Sequence, residues 1–284
     1  MSQVFFLYST IIRNPKRLFM KTTTILLLFL LATSLAFSQT TESINTDRPG
    51  QTTNPHTVGV GVSQIQFGIN YYDPNISNNN FVFRHGITEK FELNGGFKTT
   101  LDFKEETRHG NDGLVNGTQF GINYFNLGAR YNLLQRDDYT PGIGIQGTAY
   151  IEAGGYYDSD VSSFQFLVSA DQKIIGDLSL GGNLIMNNGA DLSLTNFYYT
   201  AYTSYSYNDF SFLLEMYGRL DLGFETFWDF GVSYQTNQNL IFDINYGQRS
   251  LIIVDYSQRE FPFPFHYENF WNAEIGLTYR LPKN

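Results

Sequence analysis

The stretch WNAEIGLTYR, residues 271–280, alternates between apolar and polar side chains. Trp271, Ile275 and Tyr279 belong to the apolar set, whereas Asn272 and Glu274 belong to the polar set between them. A period of two is typical of a β-strand with one face in apolar surroundings and the other in polar ones. The same alternation recurs in twelve segments between residue 59 and the C-terminus, which predicts an all-β protein.

Alternation alone leaves a soluble β-sandwich open, because both architectures have two-faced strands. The connections favour a barrel: short turns such as residues 88–90 and 207–209 alternate with longer polar ones such as residues 73–80, 102–112 and 152–160. Aromatic residues also cluster near the strand ends, as in an interfacial girdle. Residues 59–284 are therefore predicted to form a transmembrane, antiparallel, up-and-down β-barrel of about 12 strands.

The N-terminus is predicted to be a cleaved signal peptide over residues 1–38. Lys21 precedes an apolar run, residues 25–32, and small residues then stand at Ala36 and Ser38. The run is too short for a membrane helix, which needs about 20 residues. Residues 1–19 are interpreted as a mis-assigned start ahead of Met20. Residues 39–58 are predicted to be a polar lead-in on the periplasmic side.

Composition excludes several classes of protein. The net charge is −9, and removing residues 1–38 takes away four bases and no acid, so that the mature chain carries −13. A nucleic-acid-binding protein is expected to be basic instead. The chain has no cysteine and therefore neither disulfides nor thiolate ligands. No metal site, cofactor or catalytic motif is predicted, and the protein is not expected to be an enzyme.

The polar faces of the strands define the predicted lumen. Their charged residues are six acids and five bases: Glu92, Asp171, Glu215, Asp229, Asp243 and Glu274, with Arg84, Lys98, Arg130, Arg219 and Arg280. Isolated charges in a dry interior are costly, so these groups should pair or meet water. They are interpreted either as the walls of a permeation path or as a salt-bridged interior that fills the barrel.

Aromatic residues offer two further hypotheses. Tyr150, Tyr198, Tyr202 and Tyr217 face the predicted lumen, where they line a route for aromatic solutes or simply fill space. In the last connection, residues 247–269, a gate is hypothesised from Phe261, Phe263 and Phe265. The alternatives, a surface lid or an extension of the last two strands beyond the membrane, are favoured over an inward constriction.

The sequence resembles a family in two places. NTDRPGQT, residues 45–52, is similar to the opening of the MetA-pathway-of-phenol-degradation family of outer-membrane proteins, often called simply "transporter". FRHGITEKFEL, residues 83–93, is similar to that family's hairpin, although His85 stands where a tyrosine is expected. The chain also ends on Pro282-Lys283-Asn284 rather than on an aromatic residue. The resemblance implies outer-membrane transport of small hydrophobic or aromatic compounds and no catalytic residues.

Together these observations predict a monomeric Gram-negative outer-membrane barrel that passes small solutes passively. A filled structural or surface-interaction barrel without flux remains the main alternative. An outer-membrane lipid-modifying enzyme is the other, because His109 and His266 lie in predicted outer loops. The expected partners are outer-membrane lipid, lipopolysaccharide, the barrel-assembly machinery and a solute whose identity the sequence leaves open.

Overall fold

The computed structural model describes most of the chain from residue 44 onward. The described residues are 44–48, 50–73, 76–102, 119–153, 163–188, 195–220, 226–254 and 265–282. The predicted signal peptide, residues 1–38, lies outside them. No helix in the described part is long and apolar enough to cross a membrane.

The alternating segments form twelve β-strands. They are β1 (Ser63–Asp73), β2 (Ile76–Gly86), β3 (Phe91–Asp102), β4 (Gln119–Leu134), β5 (Gly142–Glu152), β6 (Ser163–Ile175), β7 (Leu178–Asn188), β8 (Thr195–Tyr207), β9 (Phe210–Arg219), β10 (Phe227–Asn237), β11 (Leu240–Val254) and β12 (Phe265–Arg280). Each strand pairs antiparallel with its neighbours in sequence, and β1 pairs with β12 from Gln64↔Arg280 to Tyr71↔Ala273. The predicted closed barrel is thereby confirmed. Closure leaves no free sheet edge, which lipid could not hydrogen-bond.

The two faces of the wall differ as the alternation predicts. Apolar side chains point outward and remain exposed, among them Leu127 at 66% and Ile275 at 57%. The buried side chains are mostly polar, and Arg84 and Glu92 are fully buried. A sandwich would bury its apolar face instead, so the soluble alternative is wrong.

The two rims of the barrel carry different connections. One rim has tight turns, including two-residue turns of residues 176–177 and 208–209. Gly176 and Asn208 there adopt φ of 55° and 53°, the left-handed conformation that glycine and asparagine tolerate. The opposite rim has longer connections, such as residues 103–118 and 255–264. We call these the short-turn rim and the long-connection rim.

Two predicted connections are partly strand. Residues 73–80 resembled a loop in the sequence, yet β2 already begins at Ile76. The resemblance arises because Asn78 and Asn80 are polar residues that face the polar interior. At the other end of the chain, β11 and β12 stay paired as far as Val254↔Phe265. Both strands therefore extend into residues 247–269, as one of the two favoured alternatives proposed, while residues 255–264 lie outside the described part.

Candidate functional site: the barrel lumen

The predicted lumen residues line the inner wall. Arg84, Glu92 and Glu215 are completely buried, and most of the others are nearly so. The buried remainder are Arg130, Asp171, Asp229, Asp243 and Glu274. Lys98 borders an interior cavity, and strand alternation places Arg219 and Arg280 on the same face. Their placement in the lumen agrees with the prediction, whereas their role in permeation stays a prediction.

Charges of opposite sign occupy different parts of the wall. Strands β2, β3 and β4 carry bases: Arg84, Lys98 and Arg130. Strands β9 to β12 carry acids: Glu215, Asp229, Asp243 and Glu274. On a ring of twelve strands, β3 lies opposite β9, so a basic wall faces an acidic wall across the lumen. Glu92 on β3 and Arg219 and Arg280 on β9 and β12 are the exceptions to this separation.

The N-terminal segment, residues 44–58, crosses the lumen between these walls. Arg48 donates to Asp243 from Nε at 3.1 Å and from Nη2 at 2.8 Å, and from Nη1 to Glu274 at 2.6 Å. Asp47 binds the other wall, 2.6 Å from Nη2 of Arg130 and 3.3 Å from Nη1 of Arg84. Two neighbouring residues therefore tie the acidic wall to the basic wall.

The charge of Asp47 depends on these arginines. Burial alone would raise the pKa of its carboxyl, but Arg130 and Arg84 outweigh burial and hold the pKa below its usual value. Burial likewise disfavours the Arg48 cation, and Glu274 and Asp243 reverse this effect and raise its pKa. Both residues therefore remain charged at neutral pH.

Wall glycines make room for the segment. Gly68 and Gly276 pair across β1 and β12, and a Cβ on either would collide with the guanidinium of Arg48. On β5, a Cβ at Gly144 would lie 2.7 Å from the carbonyl oxygen of Pro55. A side chain at any of these positions would displace the segment, so the glycines form notches in the wall.

Hydrogen bonds attach the rest of the segment to further strands. The hydroxyl of Thr52 donates to a carboxylate oxygen of Glu215, and it lies 2.7 Å from the hydroxyl oxygen of Thr200. The backbone N–H of Thr53 donates to Oδ1 of Asn183 at 2.8 Å. Nδ2 of Asn132 donates to the carbonyl of Pro55 at 3.0 Å. These bonds reach β4, β7, β8 and β9, so the segment is fixed from several sides.

The described part of the lead-in, residues 44–48 and 50–58, therefore lies within the lumen, a position that the sequence did not predict. The physical reason is that a basic wall faces an acidic wall across the lumen. A segment that carries Asp47 next to Arg48 neutralises charge on both walls. Sequence reasoning missed Asp47, Arg48 and Thr52 as lumen residues. The available signal was the pair of adjacent opposite charges just before β1.

Two cavities border the segment. One, of about 340 Å³, lies toward the long-connection rim of β1 to β6 and is lined there by Asn70 and Asn80. The other, of about 390 Å³, reaches the short-turn rim of β8 to β11, where Asn208 and Asp209 line it. Both are also lined by Asp47, Arg48 and Thr52, so the segment lies between them. We call them the outer cavity and the turn-side cavity.

A closed barrel with an apolar exterior, a polar interior and a segment through its lumen invites comparison with known channels. The fold is that of an outer-membrane porin. A KdgM porin matches with a TM-score of 0.52 at 11% identity, over 76% of this chain and 98% of that one. An outer-membrane channel from Pseudomonas putida F1 matches with a TM-score of 0.51 at 10% identity, over 82% of this chain and 100% of that one.

This likeness confirms the predicted porin-like barrel of the outer membrane at the level of the fold. No protein-family model matches the sequence, and no curated protein is similar to it. The narrower assignment to the MetA-pathway family therefore stays a prediction.

Several predicted features of this porin-like barrel lie outside the described part. Phe261 and Phe263 of the hypothesised gate are not described, and of Phe265 only the backbone is, as the first residue of β12. The same holds for His109 and for the side chain of His266, on which the lipid-modifying alternative depends. Among the residues that are described, no group of three His, Cys, Asp or Glu could hold a metal ion.

Proposed function

We propose that the protein is a passive outer-membrane channel for small solutes, in which residues 44–58 act as a plug that restricts flux. The observation that carries this proposal is the ion-paired segment between two cavities that border opposite rims of the lumen. A polar lumen inside an apolar wall lets hydrophilic solutes cross where lipid would exclude them. The basic and acidic walls would orient water and solute along the path.

The arrangement of the rims supports an orientation. Short turns are periplasmic in outer-membrane barrels, and longer connections face outward. The plug leads into β1 at the short-turn rim, and we therefore expect the chain to enter the lumen from the periplasm. We expect the barrel to act as a monomer, with lipopolysaccharide and the barrel-assembly machinery as partners.

A filled structural barrel without flux is the second candidate. The observation that favours it is the same plug, because salt bridges and hydrogen bonds from several strands hold it in place. The two candidates differ in whether solutes can cross the lumen. In a channel the plug moves away or leaves a path beside it, whereas in a structural barrel it blocks the lumen.

Conductance across planar bilayers distinguishes them. The channel proposal expects stepwise ion currents from the purified wild-type protein. It also expects larger steps from a variant carrying Asp47→Asn and Arg48→Gln, because the plug then loses its charge on both walls. Absence of steps in both proteins would favour the structural barrel and overturn the channel.

The solute is a finer question. The resemblance to the MetA-pathway family implies small hydrophobic or aromatic compounds, which would meet Tyr150 and Tyr202 in the two cavities, whereas the polar lining of the outer cavity favours hydrophilic ones. Liposome swelling with phenol beside hydrophilic solutes of similar size tests this assignment. Faster entry of the hydrophilic solutes would reject it.

A further inference from the structure

The lining of the outer cavity is dominated by side-chain amides. Asparagines from β1, β2, β3 and β4 border it, together with glutamines from the wall and the plug. The asparagines are Asn70, Asn78, Asn80, Asn94 and Asn126. Each amide carries a donor and an acceptor and no charge, so this surface suits a solute with many neutral hydrogen-bonding groups.

The arginines that reach the outer cavity are already paired. Arg48 holds Asp243 and Glu274, and Arg130 holds Asp47. Arg84 is bound to Glu92 at 2.8 Å. A charged solute would have to compete with these salt bridges, whereas a neutral one can bind the amides and leave them intact.

Two of these asparagines, Asn80 and Asn126, keep surface that is accessible from the lumen. Asn80 is exposed and Asn126 is half-buried, and both line the outer cavity. They lie near each other in the wall, because Asn80 pairs with Lys98 and Asn126 pairs with Gly96 on the intervening strand β3. An amide donates and accepts hydrogen bonds, and a hydroxyl group does both as well. A small solute with hydroxyl groups can therefore bind both amides.

Two tyrosine rings add an apolar surface beside the amides. Tyr124 and Tyr150 border the same cavity, with ring centroids 5.1 Å apart and ring planes perpendicular. A solute with hydroxyl groups at its edges and C–H groups on its faces would satisfy the amides and contact these rings. The cavity volume of about 340 Å³ limits such a solute to a small one.

From these observations we infer that the outer cavity is a binding site for a neutral polyhydroxylated solute of about monosaccharide size. The inference deepens the proposed channel function and rests on it for the entry of solute into the lumen. Asn80 and Asn126 are the specificity-determining residues, because their accessible amides offer donors and acceptors without charge and so select hydroxyl groups over apolar and charged ones.

Two measurements on the full-length protein test the site. The first is blockade of the ion current in planar bilayers by glucose, mannitol, phenol and glucuronate. The second is binding of the same four compounds to the detergent-solubilised protein, followed by calorimetry, which needs no open channel. We expect saturable blockade and binding by glucose and mannitol, and weaker effects of phenol and glucuronate.

Variants test whether glucose binds in the outer cavity. Asn80→Ala and Asn126→Ala should each raise the half-saturating glucose concentration by roughly 2- to 10-fold, as expected for one neutral hydrogen bond. Both side chains keep accessible surface on the lumen side, so the fold should tolerate both changes. Ser233→Ala is the matched control, since Ser233 is a buried wall residue that lines the turn-side cavity instead. It should leave glucose binding unchanged.

The outcomes separate the inference from the channel proposal. Current steps without glucose blockade or binding would overturn the inference and leave the channel standing. Absence of current steps together with glucose binding that Asn126→Ala weakens would overturn the channel and retain the site. Equal or tighter binding of phenol or glucuronate would overturn the assigned solute class.

Discussion

Asp47 and Arg48 are adjacent in sequence, yet they bind opposite walls of the lumen. Successive side chains of an extended backbone point in opposite directions, so two neighbouring residues can reach both walls at once. Asp47 meets Arg84 and Arg130, and Arg48 meets acids on β11 and β12. The dipeptide thereby connects the two halves of the wall across the barrel.

Removing the Arg48 side chain should destabilise the barrel strongly. Arg48→Ala leaves Asp243 and Glu274 buried without their cation, and breaking a buried pair in this way costs about 3–5 kcal/mol. Lys173→Ala is the control, because Lys173 forms an exposed pair with Asp177 at 3.5 Å. Its loss should cost about 1 kcal/mol or less. Urea unfolding in detergent measures both, and equal effects would contradict the role assigned to Arg48.

The plug should respond to pH through Asp47. Because the pKa of Asp47 is lowered in the folded protein, its contribution is complete above its ordinary pKa of 3.8 and is lost as the pH falls through the lower folded value. Conductance should therefore stay constant between about pH 7 and pH 5 and rise below about pH 4. Asp47→Asn should conduct more already at neutral pH. A rise in wild-type conductance near pH 6 would point to another group.

At the scale of elements, the notches in β1 and β12 shape the wall around the plug. Gly68 and Gly276 face each other in the ladder, and together they free the volume that the Arg48 guanidinium occupies. The two strands thus pair with each other in the wall and also form a notch for the side chain of Arg48, which belongs to the plug.

Filling this notch should displace Arg48 while leaving the strands paired. Gly276→Ala introduces a Cβ into the guanidinium, so we expect higher conductance with unchanged β-sheet circular dichroism. Gly95→Ala is the control, because its Cβ would lie 3.3 Å from the backbone oxygen of Asn126 and would not meet the plug. An equal rise in conductance in both variants would show that the substitutions had altered the wall in general rather than the notch that holds Arg48.

The strands could be predicted from sequence because lipid and lumen impose a period of two on every one of them. The pattern fails where both sides of a strand are polar, as at Asn78 to Asn80 on β2, since polar lumen residues there resemble a loop. It also cannot place the plug. The described residues of the plug, 44–48 and 50–58, belong to no β-strand, and their position depends on charges and glycines far apart in sequence. These charges and glycines become neighbours only when the barrel closes.

At the scale of the whole molecule, the usual distribution of polarity is reversed. Apolar side chains face outward over the strands, and the buried interior is held together by hydrogen bonds and salt bridges. Lipid supplies the apolar surroundings that a core would otherwise provide, which leaves the centre free for polar groups. Stability and obstruction of the lumen therefore depend on the same ion pairs. In the proposed channel, moving the plug would widen the path without opening the wall.

Tethering the plug to the wall tests whether it moves. Thr46 and Thr278 have hydroxyl oxygens 2.9 Å apart, one on the plug and one on β12. The chain has no cysteine of its own, so Thr46→Cys with Thr278→Cys introduces a single possible disulfide. A displaceable plug predicts low conductance when this pair is oxidised and a reversible increase on reduction.

The matched control lies within the wall. Ser206 and Ser211 on β8 and β9 have hydroxyl oxygens 3.1 Å apart, so Ser206→Cys with Ser211→Cys links two strands without touching the plug. Conductance of that protein should not depend on redox state. If oxidation of the Thr46–Thr278 pair also left conductance unchanged, solutes would have to pass beside a static plug, and the lumen charges around residues 44–58, rather than their movement, would set the flux.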